Sequence, residues 1–123
     1  MLLEVGAYRV LLSGDIEREA EQALLRSGRL PKVHAVTVPH HGSRTSSTRL
    51  FTRALQPSIA IVSAAYGNHW DFPKEDVVQR WRAAGAAVLN TATDGAIEMR
   101  ICAASGFESI TRNRVARRRI WHE

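Results

Sequence analysis

Residues 33–43 read VHAVTVPHHGS, and the change of character within this stretch decides the fold. Val33 to Val38 is rich in β-branched residues and reads as a short strand. Pro39 cannot donate to a sheet ladder and ends it. His40, His41, Gly42 and Ser43 follow at once, where an α/β layer carries its functional loops. The same alternation repeats outward on both sides. Upstream, Tyr8 to Ser13 is a strand broken by Gly14. A helix then runs from Ile16 to Ser27, with Ile16, Ala20, Ala23 and Leu24 on its core face and Glu17, Glu19, Glu21 and Arg26 toward water. Downstream, Thr45, Ser46 and Ser47 are each suited to cap a helix carrying Leu50, Phe51, Ala54 and Leu55. Ile59 to Ser63 is a third strand, apolar on both faces as in a covered sheet. Pro73 opens a helix lined by Val77, Val78, Trp81 and Ala84, and Ala86 to Leu89 is a fourth strand. Asp94-Gly95 signals a turn, and Ala96 to Cys102 alternates as an antiparallel strand does. The pattern βαβαβαββ is an α/β layer rather than a bundle.

Composition sets the bounds. The chain has 123 residues, enough for one domain with a core, and is 45% hydrophobic and 24% charged. No apolar run approaches the roughly 20 residues that span a bilayer, and the first residues lack the basic start of a signal peptide. The one cysteine, Cys102, can form neither an internal disulfide nor a cysteine zinc cage and is expected in the core. The net charge of +5 is concentrated in residues 112–119, RNRVARRR, which divides the chain into a domain at 1–111 and a basic tail at 112–123. Such a tail either binds nucleic acid or anionic lipid, or is simply solvated.

Chemistry-bearing residues gather in the loops after the strands. Asp15 follows the first, His40 and His41 the second, and Asn68, His69 and Asp71 the third. Carboxylate oxygen and imidazole nitrogen together suit a divalent metal such as zinc or manganese. Each residue also has a plainer reading. Asp15 could cap the helix that starts beside it, and the histidines could be ordinary loop residues. His34, inside a strand, and His122, in the tail, read as structural or solvated.

Four segments together carry a resemblance: LLSGDIE (11–17), VPHHGSRTSST (38–48), YGNHWDFP (66–73) and ATDGAIEMRI (92–101). In this order and at these separations they resemble the C-terminal metallo-β-lactamase-like domain of the ComEC family of DNA-uptake competence proteins, from about Tyr8 to Ile101. The resemblance implies half of a metallo-β-lactamase αββα sandwich, with a mixed sheet and helices on one face. It implies a two-metal site in which Asp15 bridges the ions and one of His40 and His41 is a terminal ligand, the other contacting substrate phosphate or supporting the ligands. Ser43, Asn68 and His69 are then candidate substrate contacts. The implied activity is metal-dependent hydrolysis of DNA. Hydrolysis of another phosphoester or ester is an alternative, and so is non-catalytic DNA binding through the basic tail. The implied parent lies at the bacterial inner membrane with a channel portion, this chain itself being soluble.

Two departures qualify the likeness. No H-x-[HD]-x-D-H occurs in the sequence, so the cluster that by the resemblance supplies several ligands and the water-positioning acid is missing. Asp71, Phe72 and Pro73 stand where many relatives carry a Gly-His-Pro-like sequence. The chain therefore reads as the C-terminal part of a longer domain, inactive without its N-terminal half-domain and prone to form a homodimer through the sheet face that half would cover.

Overall fold

A computed structural model describes residues 1–113. The elements run β1 (Leu2–Val5), β2 (Tyr8–Leu12), α1 (Arg18–Ser27), β3 (Ala35–Thr37), α2 (Arg49–Leu55), β4 (Ile59–Val62), α3 (Glu75–Ala83), β5 (Ala87–Asn90), the single turn α4 (Thr91–Asp94), β6 (Ile97–Cys102) and β7 (Gly106–Arg112). A 3-10 turn at Pro39–Gly42 follows β3. The main sheet has the order β1-β2-β3-β4-β5. β1 is antiparallel to β2, and the other pairings are parallel.

Each parallel step from β2 to β5 crosses the sheet in one direction with one helix in the connection. Right-handed crossovers then place all three helices on the same face. The rung Leu11–Val36–Ala60–Val88 points at them. It packs with Phe51 and Leu55 of α2 and Val77 and Trp81 of α3 into one core. Phe51, Leu55 and Trp81 are fully buried, each stabilising by about 1.5–3 kcal/mol relative to exposure. This is an α/β fold with the layering of half an αββα sandwich, as expected.

The second face carries Tyr8, Val10 and Leu12, because side chains alternate along β2. The β6–β7 hairpin lies against it at the β2 side. The Tyr8 hydroxyl meets Met99 Sδ at 3.9 Å, and its ring stacks on His34 and approaches Phe107. Val10 and Ala35 are buried there, while Ile59, Ile61 and Leu89 remain half-buried.

Several local expectations need correction. The helix after Gly14 starts at Arg18, and its phase differs: Ala20, Ala23 and Leu24 are exposed, Leu25 packs on the core, and Glu21 is buried. The reason is hydrogen bonding. Glu21 turns inward because its carboxylate accepts from the backbone N–H groups of Ser47 and Thr48, the latter at 2.8 Å. Those donors precede α2, which is capped by Thr48 rather than by Thr45, Ser46 or Ser47. Pro73 lies outside α3, one residue before its cap Lys74. Leu50 is exposed, and Cys102 is only half-buried at the end of a strand. β1 and β7 add two strands the sequence pattern did not resolve. β7 runs through Arg112, which approaches Asp94 at 3.5 Å. The rest of the expected basic tail, residues 114–123, lies outside the described residues. No helix among the described residues is long and apolar enough to cross a membrane.

Candidate functional site

Loops leaving β2, β3 and β4 at their C-terminal ends are stitched together by the backbone. His40 N–H donates to Gly14 O at 3.0 Å, Arg18 N–H to Thr45 O at 2.8 Å, and Lys74 N–H to Gly42 O at 3.0 Å. Ser13 N–H donates to Thr37 Oγ1 at 3.0 Å, and Ser13 Oγ also bonds the Thr37 carbonyl. The result is one edge at which Asp15, Glu17, His40 and His41 come together.

The histidine turn holds an unusual backbone. His40 (φ 49°), His41 (φ 56°) and Gly42 (φ 85°) are consecutive left-handed residues. For a residue with a Cβ this conformation costs on the order of 1–2 kcal/mol. Gly42 is required by more than its φ, since a Cβ there would fall 2.4 Å from Pro73 Cβ. The turn also sets where the two side chains point. Neighbours in an extended strand point to opposite faces, but this segment is not extended, and both imidazoles line one cleft with ring centroids 6.3 Å apart.

Each imidazole is paired and oriented. His41 Nδ1 lies 2.7 Å from the Ser63 carbonyl oxygen. A carbonyl only accepts, so Nδ1 carries a proton; Nε2 keeps its lone pair in the neutral ring and donates in the charged one. That Nε2 points at Asp15 Oδ1, 3.5 Å away. His40 Nδ1 lies 3.2 Å from Thr45 Oγ1 and 3.5 Å from Glu17 Oε1. Asp15 does not cap α1; the cap position is Glu17. Both carboxylates and His41 are largely open to solvent.

The other candidate residues are placed as follows. Ser43 is buried, and its hydroxyl lies 3.0 Å from Thr45 Oγ1, inside the turn. Asn68 clamps the next loop: its Nδ2 donates to Ala65 O and Phe72 O, and its Oδ1 accepts from Phe72 N–H at 2.7 Å. It also lines the cleft. His69 stands edge-on to Trp70, outside the lining. The cleft has a volume of about 580 Å³ and is otherwise walled by Ser63, Ala64, Ala65, Trp70 and Phe72. Sequence reasoning missed Glu17, Thr45, Trp70 and Phe72 as parts of this site. All four sat inside the segments that carried the resemblance; Glu17 does face solvent, as its helix phase implied, and still reaches His40.

A metal was expected here, and the donors can be tested for it. Asp15 Oδ1 and His41 Nε2 are close enough to share one cation, and Nδ1–H to a carbonyl is the usual support of a ligating histidine. Among the described residues, however, no group of three or more His, Cys, Asp or Glu converges as a complete metal cluster. The donor set fits part of a site.

Fold and site together define a mixed α/β unit with an acid–imidazole pair on its strand-end loops. The chain is similar to segments of longer bacterial proteins, among them one named for competence. The chain is 36% identical over 99 residues to Recombination protein 2 of Haemophilus influenzae, covering 80% of this chain and 12% of that protein. It is 35% identical over 98 residues to ComE operon protein 3 of Bacillus subtilis (80% and 13%). It is 34% identical over 94 residues to Competence protein ComA of Neisseria gonorrhoeae (76% and 14%). The chain thus spans about an eighth of the length of these curated relatives. No family model and no solved structure matches it.

Proposed function

We propose that this chain is the C-terminal portion of a ComEC-type, metallo-β-lactamase-like domain that hydrolyses phosphodiester bonds of DNA during competence. The observation that carries the reading is the orientation of His41. The Ser63 carbonyl accepts from its Nδ1–H, and this turns Nε2 toward the Asp15 carboxylate across 3.5 Å. Asp15 and His41 would hold a zinc or manganese ion. When bound, such an ion polarises a phosphoryl oxygen and lowers the pKa of a coordinated water.

The remaining roles belong to this chain's own side chains. Asp15 supplies oxygen on the outer side of the cleft and His41 nitrogen on its wall. His40, held by Thr45 and Glu17, is turned toward the cleft, where it can donate to a substrate phosphate. Asn68 keeps the third loop at the cleft through its three hydrogen bonds, and Ser43 N–H closes the histidine turn on His40 O. The parts lacking from this sequence are the H-x-[HD]-x-D-H cluster and the acid that would position water. The chain alone is therefore inactive in this reading, and the intact activity needs an N-terminal half-domain.

Calorimetry with zinc tests the metal assignment. The chain should take up at most one ion, more weakly than about 1 μM, because zinc sites usually need three or four protein ligands. Asp15→Ala and His41→Ala should abolish the uptake, and His40→Ala should spare it. Two zinc ions bound at submicromolar affinity, or dependence on His40 rather than His41, would contradict the assignment.

A further inference from the structure

Trp70 is the feature that the two-donor half-site does not use. Its indole is 65% exposed at the rim of the cleft that His40 and His41 line. Burying an aromatic ring is among the larger gains available to a folding chain, yet this one is held out. The loop under it is braced: Asn68 bridges Ala65 and Phe72, and the Lys74 ammonium donates to Trp70 O at 2.9 Å. Phe72 lies beside the indole, nearly parallel to it (18°), with centroids 6.4 Å apart. On its other side Phe72 faces the His40 ring at 6.2 Å. An aromatic row thus leads from the protein surface to the histidine pair.

We propose that Trp70 and Phe72 form a stacking subsite for an unpaired nucleobase, placing the adjoining phosphate at His40 and His41. Ring shape and charge favour this occupant. Two near-parallel rings match the flat face that every base presents, and such stacking tolerates sequence. The Lys74 ammonium sits 5.7 Å from the Phe72 centroid and offers a phosphate a cation beside the rings, while the Glu17 and Asp15 carboxylates, each 3.5 Å from one of the histidines, lie outside the lining. An apolar protein partner would be met by branched aliphatic side chains, and apart from the rings and the histidines the lining offers Ser63, Ala64, Ala65 and Asn68, none of them branched aliphatic. A base within a duplex has both faces covered, so the subsite selects single strands. The inference rests on the phosphodiester reading of the neighbouring site.

The test uses the full 123-residue chain in chelator and low salt, with dye-labelled oligothymidine followed by anisotropy. Three arms are compared: the oligothymidine, an abasic strand of equal length, and a duplex. Trp70→Ala should weaken oligothymidine binding roughly tenfold to hundredfold, Trp70→Phe should restore most of it, and abasic-strand binding should be unchanged by either. The abasic arm removes backbone affinity contributed by the Arg-rich residues 112–119. Unfolding midpoints of the variants should match the parent, because the side chain is exposed. Equal loss on the abasic strand, no loss on oligothymidine, or preference for the duplex would overturn the proposal. Chelator makes the result independent of Asp15 and metal. Base binding without any metal-dependent cleavage in the completed domain would refute the hydrolase reading alone. Cleavage with Trp70-independent binding would refute the stacking subsite alone.

Discussion

The Glu21 carboxylate is fully buried, yet it is not spare charge in a core. It accepts from Ser47 and Thr48 N–H, and Ser47 Oγ in turn accepts from Trp81 Nε1 at 3.0 Å. One side chain on α1 therefore holds the loop between the histidine turn and α2, and couples it to α3. Glu21→Gln should lower stability by roughly 2–3 kcal/mol, since hydrogen bonds to a charged acceptor are lost and a buried donor is left poorly paired. Urea unfolding should show a lower midpoint at unchanged slope; an unchanged midpoint would mean the loop stands without the carboxylate. Residue types carried part of this account in advance. Asp15, His40 and His41 stood out by chemistry and position, because few structural roles call for a histidine pair after a strand. Glu21 did not, because helical periodicity reports apolar spacing and says nothing of an acid whose partners are backbone groups 26 and 27 residues away.

At the scale of elements, the parallel strands were legible wherever apolar runs ended in Pro or Gly, as at Val38-Pro39 and Ser13-Gly14. β1 was not: LLEV lies exposed at the sheet edge and is defined only by its pairing with Tyr8–Leu12. β7 escaped for the same reason, being mostly exposed and fixed by pairing with β6. The reading of Ile59–Ser63 as apolar on both faces has a physical counterpart in the two environments of β4. Ala60 and Val62 are buried against the helices, while Ile59 and Ile61 sit half-buried on the opposite face. The hairpin meets that face from the β2 side and does not bury β4 and β5 there, where Leu89 is also half-buried. An apolar sheet face that is only half-buried favours association. We expect the chain to dimerise through it, and sedimentation at roughly 100 μM, where a stable interface saturates, should return a dimer that Ile61→Lys converts to monomer. A monomer at that concentration would show that the face is tolerated in water.

The described residues form a mixed α/β unit with a cleft at its sheet end. Its sheet end carries an oriented acid–imidazole pair, a second pair behind it and an aromatic rim, and the chain spans 12–14% of the relatives it matches. Among the described residues the donors number too few for a two-metal centre. A second copy of the chain would bring the same residues again, so dimerisation does not complete the set. The central claim is that Asp15 and His41 are half of a hydrolytic site. The measurement that bears on it most directly is manganese-dependent cleavage of single-stranded DNA, with and without chelator. It compares residues 1–123 alone with the same residues fused behind a half-domain that carries an H-x-[HD]-x-D-H cluster. The account predicts no cleavage by the chain alone, chelator-sensitive cleavage by the fusion, and loss of that cleavage in Asp15→Ala. Chelator-sensitive cleavage by the 123-residue chain alone, lost in Asp15→Ala, would contradict it.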